Sequence, residues 1–321
     1  MSWFLVAVSA YLILAIVFLV DKHLLVGPIP NPKVYTFYIG TLGILVLILA
    51  PFVGFYIPEL SQIILSLLAG ALFIYGIFWL NYALSLFEAS RVIPAIGGIL
   101  PIFSFLLIYI FSGGKEIFTI WEFLTFILLI FGGVLIVYPS AEKGGEEQMF
   151  FDYEKAKISL KSLRISATAA FFLALSFVLA KYVYMAQPFW SGYIWIRIGG
   201  FLMAMSFLFA QGVRDELFKV KINFPKKTAA IFLSNQVAGA SANILQNWAI
   251  ALAPLVCVAI INALQGVQYM FLLMFTVLLS LTQPLWAKRA GLKEEVSRKI
   301  LFQKIIAILL IGGGLTLLAF K

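Results

Sequence analysis

The chain has 321 residues, of which 63% are hydrophobic and 12% charged, against roughly 45–50% and 25% in soluble domains. Its mean hydropathy of +1.05 excludes an ordinary water-soluble globule and marks an integral membrane protein. The net charge of +9 lies in short interhelical loops with no soluble domain to turn a basic face to nucleic acid, so these charges are expected to meet membrane lipid headgroups.

A spanning helix needs about 20 mostly apolar residues, and a bilayer accepts only helices and closed barrels, because every backbone polar group needs an internal partner. Unbroken apolar runs of that length exclude a barrel. The fold expected is an all-α membrane protein with ten transmembrane helices: Trp3–Val20, Tyr35–Phe55, Ile63–Phe87, Val92–Phe111, Trp121–Tyr138, Ile165–Ala186, Ser191–Gln211, Thr228–Leu252, Leu255–Leu281 and Ile300–Phe320. The first lacks the basic leader and small-x-small site of a signal peptide, so it is expected to be retained. One cysteine, Cys257, and one histidine, His23, leave no internal disulfide and no ligand cluster for zinc, haem or iron–sulfur, so no cofactor is expected.

Along the chain the sequence echoes itself. "AIVFLVDK" (Ala15–Lys22) pairs with "ALSFVLAK" (Ala174–Lys181), Gly40 with Gly199, "NYAL" (Asn81–Leu84) with "NWAI" (Asn247–Ile250), and "ILLIFGGVL" (Ile127–Leu135) with "ILLIGGGLT" (Ile308–Thr316). The pairs keep their order and their offset grows along the chain, as loop insertions would make it. The expected organisation is a five-helix repeat over 1–139, a charged linker over 140–163 and a second repeat over 164–321. An odd number of helices per repeat makes the copies inverted. Inverted repeats are typical of secondary transporters, which bind near the midplane and work by alternating access.

Loop lysines and arginines, among them Lys33, Arg91, Lys143, Arg164, Arg214 and Lys288, fall on one side of this arrangement. Only Lys115 and Lys321 fall on the other. The positive-inside rule then places both termini outside a cell (plasma) membrane.

The stretch from Asn81 to Tyr138 resembles the second half of an EamA domain of the drug/metabolite transporter superfamily. The features are Tyr82-Ala83-Leu84 closing the third helix, a Ser90-Arg91 turn, Pro101 within the fourth helix, Glu116 in the next loop and Gly132-Gly133 in the fifth. Two such copies cover nearly the whole chain, although the second lacks a counterpart of Pro101. The resemblance implies an exporter or exchanger of small metabolites, often amino acids, without nucleotide hydrolysis, and the chain has no phosphate-binding G-x-x-x-x-G-K-[ST] loop. It also implies cytoplasmic termini, the reverse of what the charges say; the asymmetry is large and includes short loops, so the charges are preferred.

The eighth helix carries five amides, Asn235, Gln236, Asn243, Gln246 and Asn247. At about 100° per residue they fall on one third of its circumference, opposite Ser234 and Ser241, whose hydroxyls can bond back to their own helix. The ninth adds Asn262, Gln265 and Gln268 at every third position. Such amides either hold helices together or line a polar cavity; five on one stripe exceed what a single neighbour can satisfy, which favours the cavity. Arg197 and Lys181 either reach the membrane interface or offer a fixed charge to an anionic group of a substrate. In the fourth helix Pro94 and Pro101 share a face around Gly97 and Gly98, as a packing kink or as a hinge that exposes backbone. The glycine pairs Gly132–Gly133 and Gly312–Gly314 read as close packing. Asp21, Glu88 and Glu122 are expected at helix ends, with Glu88 and Arg91 a local pair, which weighs against the small multidrug resistance mode, in which a membrane-embedded carboxylate exchanges protons for a cationic drug.

The function expected is therefore secondary active transport of a small-molecule substrate, an amino acid or organic anion, with a coupling ion or proton. A nucleotide-sugar or lipid-linked sugar carrier is an alternative. A prenyl or glycosyl transferase would need clustered acidic residues, and Glu146–Glu147, Asp215–Glu216 and Glu294–Glu295 sit instead in lysine-rich loops, so no enzyme is expected. A non-transporting scaffold predicts a filled interior.

Overall fold

A computed structural model describes residues 2–26, 31–87, 89–137, 153–210, 214, 226–282 and 298–319. All regular structure among them is helical. Helix α1 runs Ser2–Val26, α2 Pro32–Gly43, α3 Leu60–Leu86, α4 Ala89–Phe111, α5 Ile120–Val137, α6 Tyr153–Ala186, α7 Phe189–Ser206, α8 Lys226–Leu252, α9 Cys257–Ala263, α10 Gln265–Thr282 and α11 Arg298–Ala319. Five stretches, within α1, α2 and its extension, α3, α6 and α7 and its extension, are long and apolar enough to cross a membrane. The chain is an all-α membrane protein. Much of the expected linker lies outside the described residues, as do the three acidic loop pairs, Glu88, the side chain of Arg91 and most of the loop lysines and arginines.

The helices start and stop for local reasons. Asn31 caps α2 by accepting from the Lys33 N–H at 3.0 Å, and Pro32 follows at the first helical position, where a missing N–H costs nothing. Beyond Gly43 the coil tightens into a 3-10 helix over Ile44–Phe52 that contains Pro51. Runs of that length are uncommon; Pro51 removes one helical donor and its ring crowds the preceding turn. Between α4 and α5 the turn uses Gly113 and Gly114 at φ of 63° and 79°, a region where a Cβ is strained.

Three helices differ from expectation. α1 extends past Val20 to Val26, and α6 begins well before Ile165, at Tyr153. An apolar run ends at the first charges, but lysine, glutamate and alanine are good helix formers and carry the coil on. The expected ninth helix is broken at Leu264 into α9 and α10.

Without a hydrophobic drive between helices in lipid, small residues decide which pairs pack closely. α3 packs on α6 and α7, α1 on α8 and α10, α4 on α6, α5 on α11, and α2 on α7. At the α3–α7 contact a Cβ added to Gly70 would lie 1.8 Å from the Ile196 carbonyl oxygen, and one on Gly199 would lie 2.2 Å from that of Leu67. Gly132 meets Ile311 and Ala307 of α11, and Gly133 meets Gly266 of α10. On α11 the close-packing expectation holds for Gly314, which meets Leu129 at 3.1 Å, but Gly312 faces open space.

Candidate functional site

α1 and α8 lie side by side in opposite directions, so that Asn235 meets Asp21 at one level and Gln246 meets Tyr11 about three turns away. Together with α2, α4, α7 and the α9–α10 break, they enclose a cavity of about 620 Å³. Its wall carries Asn235, Gln236, Asn243 and Gln246 of α8, Asn262, Gln265 and Gln268 of α9 and α10, Arg197 of α7 and Asp21 of α1. The amides cluster because residues three and four apart share a helix face, and α8 turns that face inward while Val237 remains 67% exposed. Ser241 bonds back to the Val237 carbonyl at 2.9 Å, as its place opposite the amides implied.

Two charged centres stand in this wall. Arg197 donates from Nη2 to the Tyr193 hydroxyl at 2.9 Å and to Asn243 Oδ1, and its guanidinium lies over the rings of Tyr193 and Phe73, 5.0 and 5.5 Å from their centroids. It is held inside the protein instead of reaching the interface. Asp21 accepts from the Tyr35 hydroxyl and from Asn235 Nδ2, the latter at 2.6 Å. Neither charge has an oppositely charged partner among the described residues.

Asp21 overturns the expectation that acidic residues are confined to helix ends. Because α1 continues to Val26, its carboxylate sits more than a turn inside the helix and faces the cavity. The sequence holds one signal of this, an aspartate directly after an apolar run, but the same signal marks the end of a helix. Tyr11 and Tyr35 are further members that sequence reasoning missed; aromatic residues in an apolar helix carry no mark of the cavity.

Two predicted residues lie elsewhere. Asn247 lines a small void of about 10 Å³ beside Ser176 and Gly70, on the far side of Arg197 and Asn243, which line both spaces, and it donates to Asn243 Oδ1 at 2.9 Å and accepts from the Tyr184 hydroxyl at 2.8 Å. Its role is closer to the interhelical bonding reading. Lys181 is 6% exposed and its Nζ donates to the carbonyls of Ala251 at 3.0 Å and Ala253 at 2.6 Å. It neither snorkels nor faces the cavity; it satisfies carbonyls that the end of α8 leaves without helical donors. Lys181→Met should therefore lower stability by about 1–3 kcal/mol, measured by thermal unfolding in detergent, while ligand binding by the protein that remains folded is unchanged.

Helix α4 is continuous from Ala89 to Phe111, with no break in the coil between Pro94 and Pro101. Ile96 and Leu100 line the cavity, while Gly97 receives the Tyr269 ring and Gly98 meets Val134. Pro101 is buried, and the side chain of Pro94 lies outside those described. The backbone irregularity on the cavity wall is instead the break at Leu264. There the Ile261 carbonyl accepts from the Leu264 N–H at 3.2 Å and from the Tyr11 hydroxyl at 2.8 Å. Asn262 donates to Ser104 at 2.7 Å, whereas its Oδ1 is buried without a partner among the described residues. Gln265 makes no side-chain hydrogen bond to any described residue. The cavity wall thus retains unused hydrogen-bonding capacity beside one positive and one negative group.

No family model matches this chain, and no curated protein does. The fold is similar to that of a solved crystal structure described only as that of a protein, with a TM-score of 0.65 and 16% identity over 99% of this chain and 96% of that one. At that identity the likeness concerns the fold alone.

Proposed function

We propose that the chain is a ten-span secondary transporter of the EamA type that moves a small polar solute across the plasma membrane by alternating access. The observation that carries this reading is the cavity of about 620 Å³ with seven amides, Arg197 and Asp21 in its wall. Pockets of this size suit small organic ligands, and the cost of polar groups at membrane depth makes their clustering a mark of function. The cycle makes and breaks no covalent bond.

Ten spans are supported by adding to the five long apolar stretches the shorter apolar helices Ala95–Phe111, Ile120–Leu135, Cys257–Leu272 and Phe302–Leu318 and α8, whose hydropathy its amides depress. Inverted repeats are supported by the contacts. If α1 to α5 correspond in order to α6, α7, α8, α9 with α10, and α11, the α3–α6 contact maps onto α8–α1, and α4–α6 maps onto α10–α1. The α2–α7 and α5–α11 contacts map onto themselves. Several pairs break the exchange: α2–α3, α4–α5 and α5–α10 pack more closely than their counterparts α7–α8, α10–α11 and α4–α11, and, most of all, α3 and α7 are tightly packed, whereas their counterparts α8 and α2 barely touch. A transporter built from inverted repeats has this asymmetry in any one state, and exchanging the open and closed pairs yields the other.

A thermal-shift screen of the purified protein against amino acids, organic acids, nucleotide sugars and cationic drugs tests the reading. A ligand at about 100 times its Kd adds about 2.7 kcal/mol to the stability of the folded state. The expected result is a shift from one class that disappears in Asn243→Leu and in Gln246→Leu, with both variants folded. A protein that binds no class of solute, or variants that bind and transport like the parent, would sink it in favour of a scaffold.

A further inference from the structure

The cavity has a side window. Leu45, Ile48 and Leu49 of the 3-10 stretch and Leu233 and Val237 of α8 all line it, yet each is between 37% and 67% exposed. They stand on the two elements that barely touch, and they form an apolar rim on both sides of the gap. The 3-10 stretch ends the apolar run from Pro32 to Phe52, and Leu233 and Val237 lie well inside α8, on the flank of its amide face. The window therefore faces the acyl region of the bilayer.

A polar solute that carries no apolar tail has no use for such an opening, so the polar group of the transport reading is here the head of a larger molecule. Water in the cavity would be brought against hydrocarbon, and the amide wall would face acyl chains with nothing between, both of which are unfavourable. A hydrocarbon chain lying in the window removes both costs. Inside, the ends of a head group are provided for by the carboxylate of Asp21, held by Tyr35 and Asn235, and the guanidinium of Arg197, held by Tyr193 and Asn243.

We propose, on the reading of this cavity as a transport site, that its ligand is a single-chain amphiphile with a zwitterionic head. The cationic group meets Asp21, the anionic group meets Arg197, and the chain leaves sideways between the 3-10 stretch and α8. One chain is specified because the exit is a single gap, rimmed on one side by Leu45, Ile48 and Leu49 and on the other by Leu233 and Val237, and the cavity of about 620 Å³ behind it suits a compact head group.

The probe is lysophosphatidylethanolamine with a photoactivatable diazirine in its acyl chain, added to the full-length protein in phosphatidylcholine vesicles, with cross-linked peptides mapped by mass spectrometry. Labelling is expected to concentrate on 45–49 and 233–237. Unlabelled lysophosphatidylethanolamine should compete, and glycerophosphoethanolamine, which has the head but no chain, should not. Asp21→Asn and Arg197→Gln should each weaken the competitor by about tenfold or more, the scale of one lost contact to a charge. Ile48→Trp and Val237→Trp alter exposed positions that the fold does not rely on, and should remove labelling of the window by filling it.

Uniform labelling of outward-facing positions such as Ile64, Phe131 and Leu309 would mean that the window meets bulk lipid only, and would overturn the proposal. So would equal competition by glycerophosphoethanolamine. Stabilisation by soluble zwitterions such as leucine, with no labelling of the window, would overturn the amphiphile and leave the transport reading standing. Loss of solute binding and of labelling together would remove both.

Discussion

Gly70→Ala is expected to melt far below the parent protein. The added methyl would lie 1.8 Å from the Ile196 carbonyl oxygen and 2.7 Å from the Gly200 nitrogen, and neither is the end of a flexible side chain that could swing away. α3 and α7 would have to separate along the contact that closes one side of the molecule. Overpacking typically costs about 1–3 kcal/mol, and a clash with backbone on both counts belongs at or above the upper end. Gly312→Ala is the matched comparison: nothing lies within 4 Å of its added methyl, and relief of glycine's conformational freedom within a helix should raise stability by about 0.5–1 kcal/mol. Thermal unfolding of both in the same detergent measures the contrast. Equal melting temperatures would show that α3 and α7 do not approach each other as closely as described.

Arg197→Leu is expected to abolish transport and the ligand-induced thermal shift without unfolding the protein. A hydrogen bond to a charged group contributes about 1.5–3 kcal/mol, which is on the order of tenfold to a hundredfold in affinity. Leucine also leaves Asn243 Oδ1 with its bonds from Tyr193 and Asn247, so that acceptor is not stranded. Arg197→Lys separates charge from geometry: an ammonium keeps the positive charge but cannot reproduce the planar fork lying over Tyr193 and Phe73. It should retain weak binding, about tenfold poorer than the parent. Uptake into proteoliposomes, read beside melting temperature and elution volume, distinguishes these outcomes. Wild-type uptake by folded Arg197→Leu would remove the arginine from the site.

The amide face of α8 is legible in the sequence, because helical periodicity alone sorts Asn235, Gln236, Asn243, Gln246 and Asn247 onto one side. Periodicity does not say where along a face the cavity ends. Asn247 shares the face with Gln246 but bonds to Tyr184 and Asn243 beside a different void. Lys181 illustrates a second limit. A lysine near a helix end reads as snorkelling or as a ligand from its own helix, and the carbonyls that claim it, Ala251 and Ala253, lie elsewhere in the chain. The fourth helix shows a third. Its two prolines and two glycines are the usual signs of a break, yet Tyr269 and Val134 fill the places that the glycines leave, and the coil runs on.

The sequence by itself determined the medium and the secondary structure: long apolar runs admit only helices in a bilayer, and the spacing of polar residues assigns each helix an inner face. Both follow from the local chemistry of a single helix. The tertiary structure alone decided which faces meet and which gap stays open. Asp21 became part of the cavity wall when α8 laid Asn235 against it, and the break at Leu264 became a place for the Tyr11 hydroxyl. The close α3–α7 contact and the open α2–α8 gap follow from whether backbones can approach within a few ångströms, a property of pairs of helices that no single stretch of chain contains.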